Sequence, residues 1–191
     1  EAAGKKMEEA ARKMEEAQKS QDPAAIAAAT GDAAKAAAGV LGGGQAIAAQ
    51  SLKAALPEKL AGLPRTGFDV QDGAALGLPT SQASAQYGND DKQLRLEIVD
   101  VGGLGQMAVM AMGMVQGEKE TNGRVEKIWQ EGGRTRQEEY QKDGSSAEAK
   151  SILKNGLVVS AQGSNLSIDE VRGALGKLDL AALEGLARKK P

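Results

Sequence analysis

The chain of 191 residues contains no histidine and no cysteine. Without histidine it lacks the side chain most often used as a general base at neutral pH, the usual zinc ligand and the middle member of a Ser-His-Asp triad. Without cysteine it has no disulfide and no thiol chemistry, which is compatible with either redox compartment. Only Phe68, Tyr87, Trp129 and Tyr140 are aromatic. The core must therefore be built from Ala, Leu, Val, Ile and Met, and aromatic cages and base-stacking platforms are disfavoured. An excess of one charge is missing too: 24 basic and 26 acidic residues are intermixed, for a net charge of −2. With no basic stripe there is no counterion-release attraction to nucleic acid, and no nucleic-acid partner is expected. The uncharged run from Val101 to Gly117 falls short of the ~20 residues that a spanning helix needs.

What is present divides the chain in two. Residues 1–44 are rich in Ala, Glu and Lys. Glu8 with Arg12, Glu9 with Lys13 and Glu15 with Lys19 are i,i+4 pairs with the acid first, the order that supports a solvated helix. Asp22-Pro23 is a helix start, with Asp as N-cap and Pro at the first helical position. Gly42-Gly43-Gly44 ends the segment. Alanines bury little area each, so residues 1–44 are expected to form a helical arm outside the core. Such an arm offers a surface for a protein partner or for self-association.

Residues 45–191 carry strand patterns. Phe68 and Val70 alternate with Asp69 and Gln71. Ala83, Ala85 and Tyr87 alternate with Ser84 and Gln86, and Leu94, Leu96 and Ile98 alternate with Gln93, Arg95 and Glu97. A period of two predicts half-buried strands with one apolar and one wet face. A two-residue turn at Gly132-Gly133 pairs positions whose numbers sum to 265. It sets Val125 beside Tyr140, Lys127 beside Glu138, Trp129 beside Arg136 and Glu131 beside Arg134, an apolar pair, two salt pairs and a cation–π pair. Asn155-Gly156 predicts a hairpin that pairs Leu153 with Val158 and Ile152 with Val159. Ser51 to Leu56 reads as a short helix. Ser167-Ile168-Asp169-Glu170 is a capping box that opens a helix with Ile168, Val171, Leu175 and Leu178 on one face. Asp179 caps a last short helix.

Three candidate sites fall between Asp100 and Met114. Leu104 to Val115 is uncharged and predicts a helix buried on more than one side. Met107, Met110 and Met114 share one sector of it, and thioethers are soft ligands suited to Cu(I); methionine at helical spacing is also adaptable core filler. Gly103-x-Gly105-x-x-Ala108 follows a strand and opens a helix, as a dinucleotide fingerprint does. Against that, the preceding strand alternates, whereas a central parallel strand is apolar throughout. Asp100, at the strand end beside the glycines, is a carboxylate placed either to face a cleft or to accept backbone N–H bonds in the turn. No catalytic residue and no cofactor is assigned.

Together these patterns predict an α+β fold: a mostly antiparallel sheet of five to seven strands with helices packed on one face, preceded by a helical N-terminal arm. The stretches EAAGKKMEEAARKMEEAQKS, LPEKLAGLPRTG and YGNDDKQLRLEIVDVGG resemble small bacterial envelope proteins, often lipoproteins, in which a charged helical segment leads into a compact α+β domain. That resemblance implies an exported protein of the periplasm or cell envelope, and the missing catalytic inventory together with the helical arm points to a non-enzymatic binding or interaction protein there. The resemblance also implies membrane attachment only through an acylated cysteine before Glu1. A looser resemblance, to PsbP-like sandwiches, concerns the fold alone. A copper or small-ligand carrier built on the methionine helix, and an enzyme using a nucleotide at Gly103 and Gly105, are the other readings.

Overall fold

The computed structural model of the chain describes residues 12–13, 46–73, 80–102 and 116–188. Within them, nine strands form one antiparallel sheet: β1 (Lys59–Leu60), β2 (Leu63–Asp72), β3 (Ser81–Gly88), β4 (Gln93–Asp100), β5 (Gly117–Thr121), β6 (Arg124–Glu131), β7 (Arg134–Gln141), β8 (Ser146–Ile152) and β9 (Val158–Ser164). The order across the sheet is β1-β2-β3-β4-β9-β8-β7-β6-β5. Two meanders, β1 to β4 and β5 to β9, thus meet along the β4–β9 seam, where Leu96 stands opposite Ala161. Three short helices accompany the sheet among the described residues: α1 (Ala49–Ala54), α2 (Ile168–Gly176) and α3 (Leu180–Glu184).

The alternating apolar positions all turn to one face. Ala83, Ala85 and Tyr87 of β3, Leu94, Leu96 and Ile98 of β4, Val159 and Ala161 of β9, and Ala147 and Ala149 of β8 are buried there. They join Leu52 of α1, Val171 and Leu175 of α2, and Leu180 and Leu183 of α3 in one core. Each leucine buried this way contributes about 2 kcal/mol. Sheet side chains are small and helix side chains large, which suits a chain with few aromatics. The closest approach is at Gly163, where an added Cβ would lie 2.8 Å from Val171 Cγ2 and 2.9 Å from Leu166 Cβ.

The capping box of α2 forms as expected. Glu170 N–H donates to Ser167 Oγ at 3.3 Å and Ser167 N–H to Glu170 Oε2 at 2.9 Å. Asp179 Oδ1 accepts from Ala182 N–H at 2.8 Å and starts α3. Tyr87 crosses the core and donates to Pro57 O at 2.8 Å, fixing the chain between α1 and β1.

Several expectations are corrected. The sheet has nine strands rather than five to seven, because β1 and β5 also pair. The hairpin between β6 and β7 keeps the predicted register, with Val125 opposite Tyr140 and Trp129 opposite Arg136. Its charges, however, choose other partners: Lys127 meets Glu118 at 3.1 Å, Arg134 meets Glu184 at 2.8 Å and Arg136 meets Glu131 at 3.0 Å. Glu138, almost fully buried, receives Arg172 of α2 in a two-pronged contact at 2.5 and 2.7 Å. An incoming helix supplies partners that strand neighbours alone could not reveal. The cation–ring contacts in the described residues lie on Phe68, from Lys53 and Arg65, and not on Trp129.

The hairpin at Asn155-Gly156 is displaced by one residue: Ile152 pairs with Val158 and Ser151 with Val159. Leu153 N–H closes a wider loop on Leu157 O at 2.8 Å, with Gly156 at φ +85°. A loop of three residues ending in a left-handed glycine is the next commonest hairpin connection after two residues. A slip of one residue exchanges faces, and this register sends Val159 and Ala161 inward. Asn155 is diverted to tertiary work, donating from Nδ2 to Leu183 O at 2.9 Å. The arm, residues 1–44, lies outside the described residues except for Arg12 and Lys13, which are helical and exposed.

Gly163→Ala is expected to destabilise the protein by about 1–3 kcal/mol, since the clash lies in packed core; urea unfolding measures it. Burial pushes the Tyr87 phenol up to about 12 from 10.0, with Arg65 opposing. The folded state then holds its proton more tightly than the unfolded chain, so stability falls as pH rises from about 10 towards 12. Tyr87→Phe should flatten that part of the alkaline profile, compared by thermal melts against wild type.

Candidate functional site

The face of the sheet opposite the helices is polar. Directly opposed residues form rows across it: Gln86, Arg95, Gln162 and Glu148 on β3, β4, β9 and β8 make one. Asp69, Ser84, Glu97, Ser160 and Lys150 make the next. The same period of two that buries one set of side chains sends this set to the opposite face, where all but the buried Ser84 reach water.

Near the turn joining β3 to β4, this face hollows into a cleft of about 640 Å³. Gln86, Arg95 and Gln162 cross its floor, with Gln93, Ser164 and Thr66 beside them and Asp90 at the rim. Neighbouring strands lie about 4.8 Å apart, so the row spans roughly 10 Å. The turn is held by Asn89, whose Oδ1 accepts Lys92 N–H at 2.7 Å and Asp91 N–H at 3.0 Å. Asn165 Nδ2 donates to Asp91 O at 2.9 Å and ties the turn to the end of β9. Lys92 reaches Glu170 at 2.6 Å; with the Ser167 backbone this holds the Glu170 carboxyl down at about 2.

Among the described residues, no hydrogen bond engages the carboxamides of Gln86, Gln93 or Gln162. Arg95 touches Glu97 through one nitrogen, at 3.2 Å, leaving its other donors unengaged. Each carboxamide brings two donors and an acceptor, and the guanidinium brings a forked set of donors. Carboxamides and guanidinium do not exchange protons near neutral pH, so the cleft floor can bind and orient a polar molecule but offers no proton-transfer pair.

Asp100 is fully buried and structural. Its Oδ2 accepts Ile47 N–H at 2.8 Å, its Oδ1 accepts Gly102 N–H at 2.9 Å, and Arg188 sits 3.1 Å from Oδ1. Ser81, directly opposite on β3, donates its hydroxyl to Ile47 O at 2.6 Å. The carboxylate thus joins the backbone ahead of α1, the end of β4 and Arg188 after α3, and faces no cleft. Met107, Met110 and Met114, as well as Gly103 and Gly105, lie outside the described residues. The cleft residues were visible in the sequence only as the wet half of each alternation; the signal that could have singled them out is the run of long carboxamides at Gln86, Gln93 and Gln162.

Neither protein-family models, nor curated proteins, nor solved structures hold a match to this chain.

Removing the Asp100 carboxylate leaves the buried Ile47 and Gly102 N–H groups without their acceptor and takes the counter-charge from Arg188, which among the described residues keeps only Asn155 O as a partner. Asp100→Ala is expected to cost about 3 kcal/mol or more. Thermal and urea denaturation measure this loss.

Proposed function

We propose that this protein is a non-enzymatic binding module of the periplasm or cell envelope that takes a small polar ligand in the cleft over β3, β4 and β9. The single observation carrying the ligand part is the set of unengaged donors and acceptors on Gln86, Gln93, Arg95 and Gln162, converging on one concave polar surface. A site built to hydrogen-bond its ligand discriminates strongly against analogues lacking those groups, since its own polar atoms are then left unpaired. The non-enzymatic reading is supported by the composition, which carries neither histidine nor cysteine, and by the structural employment of Asp100.

The envelope location rests on the resemblance of the charged N-terminal segment and the stretch around Leu56–Gly67 to envelope proteins. In this reading residues 1–44 form a helical arm that holds the domain away from its attachment point or meets a protein partner, and any membrane contact runs through a lipid anchor before Glu1. Fractionation of cells expressing the native gene tests that part; recovery in the cytosol alone would remove it.

The ligand part is tested by two-dimensional NMR of 15N-labelled protein titrated with a panel of hydroxylated, amidated and carboxylated small molecules. Shifts are expected at the side-chain amides of Gln86, Gln93 and Gln162 and at Arg95 Nε–H. Arg95→Met and Gln162→Leu should each weaken binding about tenfold, the effect of losing one hydrogen bond to a charged or polar ligand group, with the melting temperature unchanged. Shifts spread over the surface and insensitive to both variants would overturn the assignment.

A further inference from the structure

The arginines from Arg65 to Arg188 are not employed alike. Arg134 grips Glu184 with two nitrogens, and Arg172 grips Glu138 with two. Arg136 reaches both Glu131 and Ser151, Arg188 both Asp100 and Asn155 O, and Arg124 both Glu126 and Glu139. Arg65 donates to Leu56 O and lies over the Phe68 ring. Arg95 has one contact among the described residues, with Glu97 two positions along its own strand, at 3.2 Å. Both side chains reach water, and an exposed ion pair of this kind contributes little. Arg95 lines the cleft and Glu97 does not. A carboxylate thus already rests on one prong of a guanidinium that can hold a carboxylate by two.

Around Arg95 the cleft floor is neutral. Gln86 and Gln162 flank it from β3 and β9, with Gln93 and Ser164 beside them. Carboxamides and hydroxyls both donate and accept, and so do the hydroxyls of a sugar. Glu148, at the end of the same row, is held by Lys150 at 3.2 Å and is not free to neutralise Arg95. Among the described residues that line the cleft, Asp90 is the acid, and it stands at the rim. An ammonium group would find no counter-charge on the floor. A second negative charge on a ligand would meet Asp90.

We infer that the ligand of this cleft is a hydroxylated monocarboxylate of the sugar-acid class. Its carboxylate takes the Arg95 guanidinium in a two-pronged contact and displaces Glu97, while its hydroxyls bond the carboxamides of Gln86, Gln93 and Gln162. This rests on the binding role proposed above for the cleft and adds the chemistry of what enters it. Glu97 is then an internal competitor. A neutral sugar can reach the carboxamides but exchanges poorly for a carboxylate on Arg95, so the pair raises the cleft's preference for acids over their neutral twins. The cleft, about 640 Å³, is within the range of small-molecule sites and has room for such a molecule.

Galacturonate and galactose, one ring with and without the carboxylate, are the probes. Each is titrated into the 15N-labelled full chain, and shifts at Arg95 Nε–H and the three glutamine side-chain amides give the affinities. Galacturonate is expected to bind about tenfold more tightly than galactose, the difference made by one charge-assisted pair. Added salt should shrink that ratio. Arg95→Gln should abolish it. Glu97→Gln should enlarge it about threefold by removing the competitor, whereas a purely structural Glu97 would leave the ratio unmoved. Matching melts show that both variants are folded. Equal affinities for the two probes, a preference that survives Arg95→Gln, a ratio unchanged by Glu97→Gln, or no shift with galacturonate would each overturn the inference. If neutral compounds of the wider panel still shift the same amides, the binding role stands and the carboxylate assignment alone falls. If no compound shifts them, both fall.

Discussion

The carboxylate of Asp100 is the constraint on which the architecture turns. It ends β4, one of the two strands of the seam, and its partners come from around it: the backbone ahead of α1, the turn after β4, and the arginine that follows α3. A buried carboxylate without such partners would be prohibitively costly, so the three segments must arrive together. Apolar burial supplies the bulk of the stabilising free energy, but it is non-directional. The hydrogen bonds at Asp100 and Ser81 specify where the helical layer sits on the sheet.

Small residues on the sheet and leucines on the helices then set the spacing of the two layers. Gly163 marks the point where this spacing is tightest. Arg172 inserts its guanidinium beside Glu138 and so extends the contact of α2 beyond the apolar patch onto β7. The covered face is therefore a leucine-and-alanine core around the β4–β9 seam that grades, towards the β5 side, into an ionic contact between the buried Glu138 and the half-exposed Arg172. The opposite face carries the carboxamide cleft over the seam's lower end. Seam and cleft share residues of the same strands, alternating inward and outward.

Much of this was legible in residue order. Alternation at Leu94, Leu96 and Ile98 and at Ala83, Ala85 and Tyr87 reports the buried face directly, because side-chain direction follows strand period. The register of β6 on β7 followed from turn length alone. The capping box of α2 is a local device and reads locally. What stayed hidden was tertiary. β1 has two residues and β5 is exposed along its whole length, so neither carries a hydrophobic period. Arg134 bonds Glu184 rather than Glu131, a choice made by the arrival of α3. Asn155 serves α3 carbonyls, and the turn widens by one residue to place Val159 inward. The cleft arises only when β4 meets β9, bringing Gln162 beside Arg95 from far along the chain.

That late meeting shapes how the molecule must fold. Every strand contact other than the seam joins neighbours in sequence, so each meander forms from pairings local in the chain. The seam alone pairs Val99 with Val158 and Gln93 with Ser164, enclosing all of β5 to β8. Loop-closure entropy is therefore concentrated in one event. Two ribbons assemble from local contacts, and the rate at which they find each other governs the appearance of the finished sheet. Since the cleft floor is built from both ribbons, it comes into being at the same moment as the fold.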